Sequence, residues 1–227
     1  MALPRLLGGW VRTSRKRPRG AVSRRTLTLE PLESRTLLSV TTPTVTVTDP
    51  GGVYNGLAYA ATAKVAGSDQ VQVNSLEGVA PTLTYYVGTG TSGSATSTAP
   101  SAAGTYTVIA SFAGSTSYAS AQSSQVVFTI TKASPLVTVV DAGGTYTGTA
   151  FPALVKVAGV VAGVDTTPSL SLEGITPTVS YYAGSTATGT PLAAVPSVAG
   201  AYTVVAAFAG STDYAAAASS PATFTIA

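Results

Sequence analysis

The residues with chemistry to offer come in matched sets. Tyr85-Tyr86 is echoed by Tyr181-Tyr182, Asp49 by Asp141 and Glu77 by Glu173. An exposed tyrosine presents a flat apolar face with a polar tip, which suits stacking on a sugar ring or contact with another protein. Neighbouring residues of a strand point to opposite faces, so one tyrosine of each doublet must point outward. Tyr86 and Tyr182 are the expected outward pair and the candidate ligand-binding residues, with Leu83, Tyr85 and Val87 assigned inward. Packing under a neighbouring loop is the other reading of the same two rings. The acids invite a hard cation such as calcium, which gathers clustered oxygens. No D-x-D-x-D pattern occurs, however, so solvated turn acids are the expected reading and no metal site is assigned.

Catalysis finds less support. The chain has no histidine and no cysteine. That removes the commonest general base, and with it thiolate nucleophiles, disulfides and zinc–thiolate sites. Asp49 and Asp141 are separated by a whole repeat and form no dyad, and the serines between Ser92 and Ser97 have no partner base. The expectation is a protein that is not an enzyme and takes no cofactor.

What positions the tyrosines is a duplication. "AGTYTVIASFAGSTSYA" from Ala103 returns as "AGAYTVVAAFAGSTDYA" from Ala199, and "SLEGVAPTLTYYVG" from Ser75 returns as "SLEGITPTVSYYAG" from Ser171. The register breaks once. "AGSDQVQVNS" before Leu76 becomes the longer "AGVVAGVDTTPSLS" before Leu172, an insertion that marks a surface loop. Each copy runs about 90 residues, near the ~100 of an immunoglobulin-type sandwich.

Alternation of period two marks the strands. Tyr106, Val108, Ala110 and Phe112 share one face, with Thr107, Ile109 and Ser111 on the other; Tyr202, Val204, Ala206 and Phe208 repeat the pattern. Val45 and Val47 alternate with threonines, and Val126, Phe128 and Ile130 line one side of the last strand of the first copy. Such alternation suits antiparallel sheets with one buried face. Asp49-Pro50-Gly51-Gly52 and the stretch from Pro100 to Gly104 are turn signals. Tyr106 and Tyr202 follow a glycine turn at the start of a late strand, as in a tyrosine corner; an ordinary core tyrosine with its hydroxyl at the rim is the alternative. Between the copies, Pro135 holds Ser134 extended, so the short join should set the copies end to end as a semi-rigid pair.

Charge divides the chain. Residues 1–40 carry nine Arg or Lys against two Glu, whereas three lysines face seven acids from Thr41 onward. A disordered basic leader is expected in 1–40. The repeats lack a basic field for nucleic acid. No apolar run approaches the ~20 residues of a membrane helix.

Two resemblances extend this reading. "LEPLESRTLLSV" resembles the planctomycete-type sorting motif L-E-P-x-x-x-R-x-L-L-S, matched at Leu29, Glu30, Pro31, Arg35, Leu37, Leu38 and Ser39. It implies export or surface display. The Y-x-G at Tyr54 and Tyr146, the L-E-G at Leu76 and Leu172, the tyrosine doublets, the A-G-x-Y-T-V strands and the closing F-T-I resemble the MBG-type bacterial immunoglobulin-like repeats. That family implies extracellular β-sandwiches strung in long arrays on adhesins and other cell-surface proteins, with no catalytic residues.

The expected fold is therefore all-β: two tandem immunoglobulin-like antiparallel β-sandwiches, at 41–132 and 133–227, behind the leader at 1–40. The expected role is an extracellular or cell-surface structural or adhesion-type spacer. The alternatives are a glycan- or protein-binding module working through exposed tyrosines and loops, and a fragment of a longer repeat protein. Partners would be a cell-surface polymer, a glycan or another surface protein, not nucleic acid, with the chain monomeric or part of a longer array.

Overall fold

The computed structural model describes residues 40–227, so the basic leader and the match to the sorting motif lie outside the described residues. Within them every element is a strand, and the fold is all-β.

The first copy opens with β1 (Thr44–Thr48), where threonine and valine alternate and only Val45 and Val47 are buried. After β2 (Gly52–Val53), β1 pairs antiparallel with β3 (Thr62–Ala66), which continues to β4 (Gln72–Val73). The opposing sheet is built on β6 (Gly104–Phe112), flanked by β5 (Thr82–Val87) on one side and by β7 (Ala121–Gln122) and β8 (Val126–Thr131) on the other. β2 joins β8 in parallel, Gly52 opposite Ile130. Val45, Val47 and Val65 from one sheet meet Val108, Phe112 and Phe128 from the other in a single core, which makes the copy a β-sandwich.

The second copy repeats the plan. β9 (Leu136–Val140) pairs with β10 (Leu154–Ala158), facing a sheet of β11 (Thr178–Ala183), β12 (Gly200–Phe208), β13 (Ala217–Ala218) and β14 (Ala222–Ile226). Its core is separate and sits at matching positions, with Val137, Val157, Val204, Phe208 and Phe224.

Local chemistry sets the corners. Asp49 accepts the Gly51 N–H at 2.9 Å, and Asp141 accepts that of Gly143 at 2.9 Å. Gly51 turns with φ of 64°, and a Cβ there would stand 2.2 Å from the Thr129 carbonyl oxygen, so only glycine fits. In the L-E-G segment, Glu77 and Gly78 both take positive φ (48° and 80°), and Leu76 and Val79 exchange N–H···O bonds of 3.0 and 2.9 Å across them. That is a two-residue hairpin turn of the type whose twist matches its strands.

The expected core faces of β6, β8 and β12 are found. So is the tyrosine corner: the hydroxyl of Tyr106 donates to the Ala102 carbonyl at 3.0 Å and that of Tyr202 to Val198 at 2.8 Å. Two details differ from the sequence reading. Val87, assigned inward, is 78 % exposed. It is the last residue of β5, and its strand partner Tyr106 is itself only half-buried, so the interior has ended by that level. Thr107, on the nominal outer face of β6, is fully buried, as is Thr203 on β12. Each spends its hydroxyl on a glycine carbonyl of the adjoining turn, Thr107 to Gly88 at 2.7 Å and Thr203 to Gly184 at 2.9 Å, which offsets the cost of burial.

Candidate functional site

Tyr86 stands directly opposite Thr107 across the β5–β6 ladder, and Tyr182 opposite Thr203 across β11–β12. Same-face neighbours at such positions touch, so each ring helps to cover its buried threonine. Both rings are half-buried, while their doublet partners Tyr85 and Tyr181 are buried. Tyr85 accepts the Ala61 N–H on its hydroxyl at 2.9 Å, and Tyr181 accepts that of Ala153 at 2.8 Å, so the inner rings are satisfied structural residues. Beside Tyr86 lies a groove of about 280 Å³, lined among others by Val87, Thr98, Pro100, Ser101 and Tyr106. Its walls are mostly ring and aliphatic carbon with scattered hydroxyls, a surface suited to an extended, partly apolar ligand.

The acids do other work. Among the described residues no three acids gather as metal ligands. Glu77 accepts the Ser117 N–H at 3.0 Å and Glu173 accepts that of Asp213 at 3.2 Å, tying the L-E-G turn to the A-G-S-T-x-Y loop in each copy. Hydrogen bonds from Ser117 and Ser115 hold the Glu77 carboxyl below its ordinary range. Burial pushes Asp49 up, partly offset by the Gly51 N–H.

A second site, unread in the sequence, lies where the copies meet. Tyr54, just past β2, packs against both cores, and its ring meets Tyr214 of the second copy edge to face at 5.4 Å between centroids. Asp213 reaches across to accept the Ala103 N–H at 2.6 Å. Lys132 donates its ammonium to the Ser211 carbonyl. The join itself is stitched down, with Ala133 donating to the Asp213 carbonyl at 2.9 Å and accepting from Ala215 at 2.8 Å.

The inserted loop takes part. Its Val161 lies so close to Gly56 that a Cβ on that glycine would come within 2.7 Å of it. Its Asp165 accepts the Tyr214 hydroxyl and, at 2.7 Å, the Val161 N–H. The insertion is at the surface, as expected, with Val164 exposed, but it also buttresses the joint.

Electrostatics at the joint reflect three acids in a partly dry place. Burial raises the Asp213 pKa, and neighbouring Glu173 adds to the rise; the Ala103 N–H and Lys132 oppose it. Burial raises Tyr54 first, and Asp213, Glu173 and Asp165 push it further in the same direction. Tyr214 is raised by burial and by its bond to Asp165. The arrangement is an interface between the two copies: an aromatic contact, a cross-copy carboxylate bond and a linker bonded to the loop around Tyr214.

One signal could have found it. The copies disagree at the joint, with Asp213 standing where the first copy has Ser117 and the longer loop in place of the short one. A scan against protein-family models and a search of curated proteins find no match to this chain.

Proposed function

We propose that this protein is a non-enzymatic spacer of a cell-surface or secreted assembly, in which β-sandwiches of the immunoglobulin-like kind are held at a fixed mutual angle. The observation that carries the reading is the joint. Tyr54 is shared by two cores, and Asp213 of one copy accepts an N–H from the other. Flexible linkage needs neither, since a few polar residues suffice for a mobile tether. The resemblance to MBG-type repeats and to an export motif supports an extracellular setting for the same role. Residual dipolar couplings test it: amides of both copies should fit one alignment tensor in the wild-type chain. Two unrelated tensors would sink the reading.

The groove beside Tyr86 favours a second role, recognition of a glycan or a peptide from another surface protein. A glycan array probed with the full chain, with Tyr86→Ala as the control, tests it. Saturable binding lost in the variant would promote this role above the spacer, and an array without signal would retire its glycan form.

A further inference from the structure

The trailing end of the second copy is laid out like the end of the first copy that is already docked. Tyr146 occupies the place of Tyr54: its N–H donates to the Ala227 carbonyl at 2.7 Å, as that of Tyr54 does to Thr131 at 2.8 Å. Gly148 repeats Gly56, and Ala199 repeats Ala103 just ahead of its tyrosine corner. The two ends differ in what covers them. Tyr54 is half-buried against Tyr214, whereas Tyr146 is 54 % exposed, and Val198 and Ala199 beside the corner are exposed as well. An aromatic ring, a small-residue turn and a main-chain donor are therefore set in one place, with no other described residue docked on them as Tyr214 is on Tyr54.

We infer that this end is a docking surface for the leading end of another β-sandwich module. That module carries an Asp-Tyr pair in the position of Asp213-Tyr214 and a long loop in the position of 159–168. The joint within the chain defines the chemistry: tyrosine edge against tyrosine face, carboxylate against main-chain N–H, and an aliphatic side chain over a glycine. A second copy of this chain offers the wrong end. The first copy's leading end has Ser117 where the aspartate is needed, and its short loop supplies no counterpart of Val161. A serine hydroxyl is neither charged nor long enough to reproduce the charge-assisted bond. The inference rests on the spacer reading, because it takes the internal joint as its template.

The test extends the full chain after Ala227 with one lysine and a further copy of residues 133–227, which reproduces the native join. Nitration by tetranitromethane, mapped by peptide mass spectrometry, then reports each tyrosine. Tyr146 should be modified severalfold more slowly in the extended chain than in the native one. Asp213→Ser placed only in the appended copy should restore much of the original rate while the strand content stays unchanged by circular dichroism. Tyr146 reacting at its native rate in the extended chain would overturn the inference. Tyr54 is the internal reference. If it is protected while Tyr146 is not, only this inference fails; if Tyr54 is as reactive as Tyr146, the spacer reading fails with it.

Discussion

On the outer face of the short sheet the first copy carries Thr44, Thr48 and Thr62, and at the same positions the second carries Leu136, Val140 and Leu154, which are 63 %, 62 % and 55 % exposed. Inside, Val45, Val65, Val108, Phe112 and Phe128 correspond to Val137, Val157, Val204, Phe208 and Phe224 without a change of residue type. Close packing holds the interior to one solution, because a methylene too many or too few is felt by every neighbour. The outside and the ends are free of that constraint. There the copies diverge, and at the joint the divergence makes the contact.

The comparison can be broken or sharpened by substitution. The largest effect is expected at the paired turns. Gly51→Ala places a methyl 2.2 Å from the Thr129 oxygen, and Gly143→Ala places one 2.1 Å from Thr225. Each should cost its own copy on the order of 3 kcal/mol. Hydrogen exchange should show deprotection confined to the strands of the mutated copy; equal deprotection of both would deny that the cores are separate. Next comes the unequal pair. Tyr54→Ala removes a ring wedged between two cores and should cost about 2 kcal/mol, while Tyr146→Ala should stay within about 0.5 kcal/mol. Urea unfolding of both variants decides it, and equal losses would mean that the joint adds nothing.

A smaller effect is expected from pH. The Asp213 pKa is raised above the ordinary 3.8, chiefly by burial; the Ala103 N–H of the other copy opposes the rise, and Glu173 of its own copy adds to it. Folding therefore favours the protonated form, so this contribution to stability is full below 3.8 and is lost as pH climbs through the raised value. Asp213→Asn keeps an oxygen for the Ala103 N–H but cannot titrate. Urea unfolding across that range should show the wild-type chain losing stability as pH rises while the variant does not; parallel profiles would overturn the assignment. The smallest change in stability is expected on the outer face. The triple variant Leu136→Thr, Val140→Thr, Leu154→Thr copies the first module and should shift stability by no more than about 1 kcal/mol. Light scattering at high salt should nevertheless show less self-association than in the wild-type chain.

Much of the fold was legible in the sequence. Alternation in "YTVIASF" and "VVFTI" names the buried faces, and the duplication confirms each strand by its twin. The Asp-x-Gly turns and the tyrosine corner could be read because each depends on residues a few positions apart. Val87 and Thr107 were misread for a common reason. Alternation says which way a side chain points, not whether the opposite sheet reaches that level or whether Tyr86 lies over the outer face. Of the candidate site, the tyrosine doublets were found and their inner members placed correctly. The joint was not found, because Asp213, Val161 and Tyr54 acquire meaning only across two copies whose mutual placement no local pattern encodes.

The parallel pairing of β2 with β8 has a mechanical corollary. Gly52 and Val53 lie alongside Ile130 and Thr131 with both strands running the same way. Tension applied through the two chain ends draws the entering segment and the exit strand in opposite directions along that seam. Its bonds are then strained in unison, by sliding, instead of parting one after another like a zip. The second copy has a matching parallel bridge, Gly144 to Ile226, so a polymer of such units would yield to a tug in abrupt steps, each copy holding until its seam gives way.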